Sequence, residues 1–129
     1  KLVSMSLLIT LLAGAIVSLM LFALAEPAID LLGGTEFEAA KSVLYILAIL
    51  PLIVSLSNLF GVQIMLTNGR VSAFNIILNC AAVMGTLIVW PLCYFFGSNG
   101  AAISVVTTEI FVTIAMATYL ARNRSIWSS

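Results

Sequence analysis

Few residues in this sequence can do chemistry, and their positions narrow what that chemistry is. One ionisable group, Glu109, stands inside an otherwise uncharged apolar run at about 101–121. In a helix rising ~1.5 Å per residue it would lie roughly 13 Å in from the start of that run. A charge at such a depth in lipid costs at least ~2.5–3.5 kcal/mol on insertion scales, and it is tolerated when the group faces protein or carries a proton. Glu109 is therefore either a neutral, hydrogen-bonded fastener to another helix or a proton-coupling group. Thr113 shares its face one turn on, with Ser104, Thr107 and Thr108 on adjoining faces. No basic residue inside the apolar runs can pair with it. A lone acid supplies no acid/base or nucleophile pair, so no enzyme is expected. The chain has no His, and two Cys with no CxxC, so neither a His-bearing triad nor a zinc site is expected, and no cofactor is implied. On one helix Cys80 and Cys93 would stand roughly 20 Å apart, too far to pair.

The amide-bearing side chains form faces. Asn75, Asn79, Ala82 and Thr86 follow one another at spacings of four, three and four, which places them on one side of a helix. Ala81 and Gly85 make a small pair beside them. Such a stripe either packs against another helix, with small residues allowing close approach and amides bonding across, or borders a hydrated cavity. Ser55 and Asn58 share a face three residues apart, and Gln63 follows. Pro51 removes a backbone hydrogen bond from that helix and kinks it, which makes it a candidate hinge, as is Pro91 in the next helix. Gly14 and Ser18, four apart, make a weak packing pair.

The elements that carry these residues are set by composition. The apolar set makes up 63% of the 129 residues and charged residues 8%, with a mean hydropathy of +1.24. An average soluble domain has ~25% charged residues, so there is too little polar side chain here to coat a water-facing sphere. Five basic and five acidic residues cancel, which gives no support to nucleic-acid binding. Four stretches reach the ~20 apolar residues needed to cross a bilayer: 2–25, 43–66, 73–96 and 101–121. The expected fold is all-α, a polytopic membrane protein with four transmembrane helices. The sequence predicts that Glu26-Pro27 ends the first helix and that 26–41 forms an amphipathic connector along the interface. Thr35 is expected to cap the next helix, with Glu36 and Glu38 in its first turn. Gly33-Gly34 and Asn68-Gly69 suit helix ends, and 97–100 suits a tight turn that leaves the last two helices antiparallel neighbours. The run 2–25 is longer than a signal-peptide core, and the chain reads as the C-terminal piece of a longer protein.

Lys and Arg in short loops set orientation. An even number of spans puts Lys1, Arg70, Arg122 and Arg124 on one side and Lys41 alone on the other. Both ends are thus expected in the cytoplasm, with 26–41 and 97–100 outside and a cytoplasmic tail at 122–129. Trp127, Tyr119 and Tyr94 suit the headgroup level.

The order of features across about 26–121 resembles the C-terminal part of a polysaccharide flippase, the O-antigen translocase type of the multidrug, oligosaccharidyl-lipid and polysaccharide exporter superfamily. The resemblance rests on Leu32-Gly33-Gly34 followed by Glu36-Phe37-Glu38-Ala39-Ala40, on Pro51 in the next helix, and on Gln63 ahead of Asn68-Gly69-Arg70. It rests also on Gly100-Ala101-Ala102 followed by Glu109. It implies a whole protein of about twelve helices in two halves, of which these four are roughly the last. It implies residence in the bacterial inner membrane and movement of a polyprenyl-pyrophosphate-linked oligosaccharide by rocking of the two halves. The implied partners are the lipid bilayer, the missing N-terminal helices, the lipid-linked substrate and proteins of polysaccharide assembly.

These four spans offer amides, hydroxyls and one acid, but no buried cation. Lys41 and Arg70 stand only at the membrane faces, so a pyrophosphate site would be built mainly by other helices. Two other readings fit the span count: a small four-helix exporter acting as a dimer, and a non-transport subunit of a membrane assembly. Against the first, helix one carries no acid.

Overall fold

The structure is a computed structural model and describes residues 2–124. Lys1 and Trp127, expected at the membrane faces, lie outside the described residues. Helix accounts for nearly all of the chain, and there is no strand among the described residues. In hydrocarbon every backbone N–H and C=O must find a partner within the protein, and a helix achieves this within one segment. The helix α1 spans Leu2–Leu32. A 3₁₀ turn at Gly34–Phe37 leads to α2, Glu38–Leu47, and α3, Leu50–Asn58. A π-helical segment, Leu59–Leu66, completes this second span. The helices α4, Val71–Phe96, and α5, Ser98–Arg122, are the third and fourth. All four spans are long and apolar enough to cross a bilayer, and the chain is a multi-pass membrane protein.

Three local expectations are corrected. The first helix does not end at Glu26-Pro27 but runs on to Leu32. Pro27 forfeits one backbone bond, yet Ala25 and Ile29 on either side of it are buried, and Lys41 Nζ lies 3.0 Å from Asp30 Oδ1, tying the extension to α2. The long connector therefore contracts to residues 33–37, with Gly34 at φ 59° reversing the chain. Thr35 does not cap α2. It sits within the 3₁₀ turn, and the residue before α2 is Phe37, which makes no side-chain capping bond. The second span is a single helical run, Glu38–Leu66, but not a uniform α-helix. Pro51, which has no N–H, interrupts the bonding ladder at Ala48–Ile49, where both residues keep right-handed helical dihedrals, and π geometry begins at Leu59.

The helix ends show their chemistry. Gly69, at φ 70°, donates to the Leu66 carbonyl at 3.1 Å, and the Arg70 N–H donates to Met65 at 2.9 Å. That pair of bonds is a Schellman closure. Asn68 Nδ2 adds a bond to the Ile64 carbonyl at 2.7 Å. At the other end Gly97, at φ 63°, turns α4 directly into α5.

In space the spans run first, second, fourth, third. The second span lies between α1 and α5, and α4 packs along α5. The tightest core sits toward the Arg70 end, where Leu59, Ile64, Met65, Ala81, Val112, Met116 and Leu120 are buried together. Gly61 admits this packing, since a Cβ there would stand 2.5 Å from Phe74 Cε2 and 3.0 Å from Met116 Sδ. Leu8, Ile9, Leu12 and Leu19 of α1, and Leu87, Trp90, Tyr94 and Phe95 of α4, point outward. Tyr119, by contrast, is half-buried against the core.

The α4–α5 hairpin closes on Gly100, where a Cβ would fall on the backbone carbonyl of Leu92. Backbone cannot move aside as a side-chain tip can. Gly100→Ala is expected to cost about 1–3 kcal/mol, measured as a lower thermal unfolding midpoint of the purified protein in detergent.

Candidate functional site

Glu109 lies near the middle of α5 and is half-buried. It borders a groove of about 290 Å³ between α4 and α5, lined by Gly85, Thr86, Ser104, Thr108 and Glu109 with Val89 and Val105. The groove exists because Gly85 lets the helices close in: a Cβ there would stand 2.8 Å from Thr108 Oγ1. Among the described residues the one ion pair is Lys41 with Asp30, so Glu109 has no cationic partner there.

The three hydroxyls beside it are already committed as donors. Thr86 Oγ1 donates to the Ala82 carbonyl at 2.8 Å, Ser104 Oγ to Ala101 at 2.7 Å, and Thr108 Oγ1 to Ser104 at 2.8 Å. A hydroxyl has one hydrogen, and each is spent on its own helix. The groove therefore presents acceptor oxygens and a carboxyl. It can receive a proton, a cation or a hydrogen-bond donor, and it is unsuited to a phosphate.

The other polar residues divide. Gln63, in the π segment, is a cross-helix residue: its Nε2 donates to Thr10 Oγ1 at 2.9 Å, and Ser6 Oγ donates to its Oε1 at 3.4 Å. Asn75, Asn79 and Thr86 are exposed along α4, and among the described residues no hydrogen bond joins them to another helix. Thr86 belongs to both this stripe and the Glu109 groove, with Ala82 and Val83 between it and Asn79. Asn58, at the end of α3, is likewise exposed. Pro51 stands in the first turn of α3 after the break. Pro91 lies inside α4, which continues past it to Phe96. Lys41 is half-buried against Asp30, and Arg70 is exposed at the start of α4. Cys80 and Cys93 are free thiols.

One set of residues was missed in the sequence reading. Ser6, Thr10, Gly14 and Ser18 follow one another at four-residue steps on α1 and form the small and polar part of its seam with the second span, which Phe22 against Tyr45 continues. Ser6 and Thr10 meet Gln63, Gly14 faces Ser55 and the Pro51 carbonyl, and Ser18 Oγ donates to the Ala48 carbonyl at the break. Ser55 Oγ in turn donates to Pro51 at 2.6 Å. The signal was the regular spacing of small and hydroxyl residues, of which only Gly14 and Ser18 were noted.

No family model and no solved structure matches the chain. Its sequence is 35% identical over 113 residues, 88% of the chain, to a protein of Escherichia coli (strain K12) named "Putative O-antigen transporter". The chain is thus similar to a protein named as a putative O-antigen transporter. A Shigella dysenteriae protein of the same name is 25% identical over 83 residues, 64% of the chain. The chain spans 27% and 21% of the lengths of these two relatives, about a quarter.

The Gly14–Ser55 contact sets how closely α1 approaches the second span. Gly14→Ala drives a methyl into Ser55, and Ser55→Gly makes room for it. Gly14→Ala is expected to lose about 1–3 kcal/mol, and the double variant is expected to lose less than the sum of the singles. Unfolding of all three proteins in detergent gives the coupling.

Proposed function

We propose that these four spans are the C-terminal part of a transporter of about twelve helices in two halves. The whole molecule would flip a polyprenyl-pyrophosphate-linked oligosaccharide across the bacterial inner membrane by alternating access, in the making of O-antigen or a related polysaccharide. The observation that carries the reading is the 35% identity over 88% of the chain to a relative named as an O-antigen transporter. The exposed polar surface agrees with it. Asn75, Asn79 and Thr86 of α4 run on to Glu109 of α5, and lipid does not satisfy amides and a carboxyl. In the reading they face either the helices of the rest of the protein or the cavity between the two halves.

Within it, Glu109 is the coupling residue. The groove lacks a donor, and a proton on Glu109 supplies one toward the committed hydroxyls. Asn58 lies on the same side of the proposal as a cavity or packing residue, while Gln63 packs α1. Pro51 and Pro91 are the candidate hinges, and the helical bonding ladder is interrupted beside Pro51 at Ala48–Ile49. Lys41 is engaged by Asp30, and the groove accepts hydrogen bonds, so the pyrophosphate is bound by other helices. Both ends of this segment lie in the cytoplasm. Proteins of polysaccharide assembly are its proposed partners.

Two experiments test these proposals in the full-length protein. Glu109→Gln removes the titrating group and keeps its shape. It is expected to abolish rescue of surface polysaccharide in a strain lacking the transporter, with membrane levels of the protein unchanged. Rescue at the wild-type level would leave Glu109 a packing role only. For orientation, single cysteines are placed at Ser98 and Asn68 after Cys80 and Cys93 are changed to Ala. A membrane-impermeant maleimide is expected to label position 98 in intact spheroplasts, and position 68 only after lysis.

A further inference from the structure

The second span loses its regular α-helical bonding at two places, ahead of Pro51 and from Leu59, and α1 holds it by a hydroxyl at each. Ser18 Oγ donates to the Ala48 carbonyl at the first break. At the second, Thr10 and Ser6 hold the two ends of the Gln63 amide. A π segment closes its backbone bonds five residues apart, so each turn takes one residue more than an α turn. Such geometry is uncommon and occurs mostly as single turns. Here it extends over eight residues, LFGVQIML, which mixes strong α formers (Leu, Gln, Met) with weak ones (Phe, Gly, Val, Ile). Local preference therefore does not dictate the geometry, and tertiary contacts decide it.

Those contacts lie on two sides. Toward α1 the segment offers Gln63. Toward α4 and α5 it offers Gly61, whose missing side chain seats Phe74 and Met116. At its end Thr67 Oγ1 donates to the Gln63 and Ile64 carbonyls at 2.6 and 3.1 Å. The break at Ala48–Ile49, with Pro51 next to it, leaves slack upstream.

We propose that Leu59–Leu66 is a two-state element whose π form is latched by Gln63 on Thr10 and Ser6. When the latch opens, the segment returns to α geometry, and the change in its rise and rotation is taken up upstream at Pro51, where one backbone bond is already missing. The change unseats Gly61 from Phe74 and Met116, so separation of α1 alters the packing of the α4–α5 pair. Ser6 is exposed and Gln63 only half-buried, so a competing hydrogen-bonding group reaches the latch from outside the four spans. The device is a property of the fold and does not rest on what the protein carries.

The test is a nitroxide on a cysteine at Val62, an exposed position of the segment, in full-length protein with Cys80 and Cys93 changed to Ala, reconstituted in lipid nanodiscs. Accessibility to oxygen dissolved in the lipid is measured with the latch intact, in Gln63→Met, in Thr10→Val, and in the two together. Each single variant is expected to change accessibility at position 62 about threefold or more, and the double variant no further, since both remove one bond. A nitroxide at Phe95, exposed at the end of α4 remote from Phe74, is expected to stay unchanged. Thr10→Val conserves shape and leaves the π segment's own sequence intact, so it serves if Gln63→Met does not fold. No change at position 62, or an equal change at positions 62 and 95, would overturn the proposal.

Discussion

In a bilayer an apolar side chain gains nothing by leaving lipid for protein, and every structural feature of this chain bears that constraint. Helices form because their backbone bonds close internally, but the spans would stay apart without something other than hydrophobicity to join them. Close approach and polar bonds do the joining. Gly14 against Ser55, Gly61 against Phe74 and Met116, Gly85 against Thr108 and Gly100 against the Leu92 carbonyl are the points where helices come nearest. Each is a place where a missing side chain lets dispersion contacts accumulate. Hydroxyls and one amide fasten what the glycines bring together.

The same constraint separates structural polar residues from those left for function. Ser6, Thr10, Ser18, Ser55 and Gln63 are spent within the four spans. Asn75, Asn79 and Glu109 are not. The hydroxyls of the groove beside Glu109 donate to carbonyls of their own helices, so toward the groove they present acceptor oxygens.

Spacing arguments served best where one helix carries the whole signal. The α4 stripe is on one side of its helix as its spacing required, and Gly69 and Gly97 reverse the chain where turn chemistry placed them. They failed where two segments had to cooperate. Pro27 looks like a terminator until Asp30 is seen beside Lys41 on another helix. Thr35 looks like a cap until the chain tightens into a 3₁₀ turn around it. The Ser6–Thr10–Gly14–Ser18 seam was visible as a repeat, but one helix alone does not reveal that Gln63, Ser55 and Ala48 lie opposite it.

By itself the sequence determined that this is an all-helical membrane protein with four spans, because charge scarcity and run length leave the backbone one way to satisfy itself in hydrocarbon. Only the tertiary structure decided that the spans stand in the order first, second, fourth, third, and that the second is partly π-helical. It alone decided that Gln63 turns inward while Asn58, Asn75 and Asn79 stay exposed. The reason is that helices apolar on every side carry no preferred direction of burial. Which faces meet is settled by where small residues on one helix find bulk or a bonding group on another, and that is a property of pairs rather than of any single stretch.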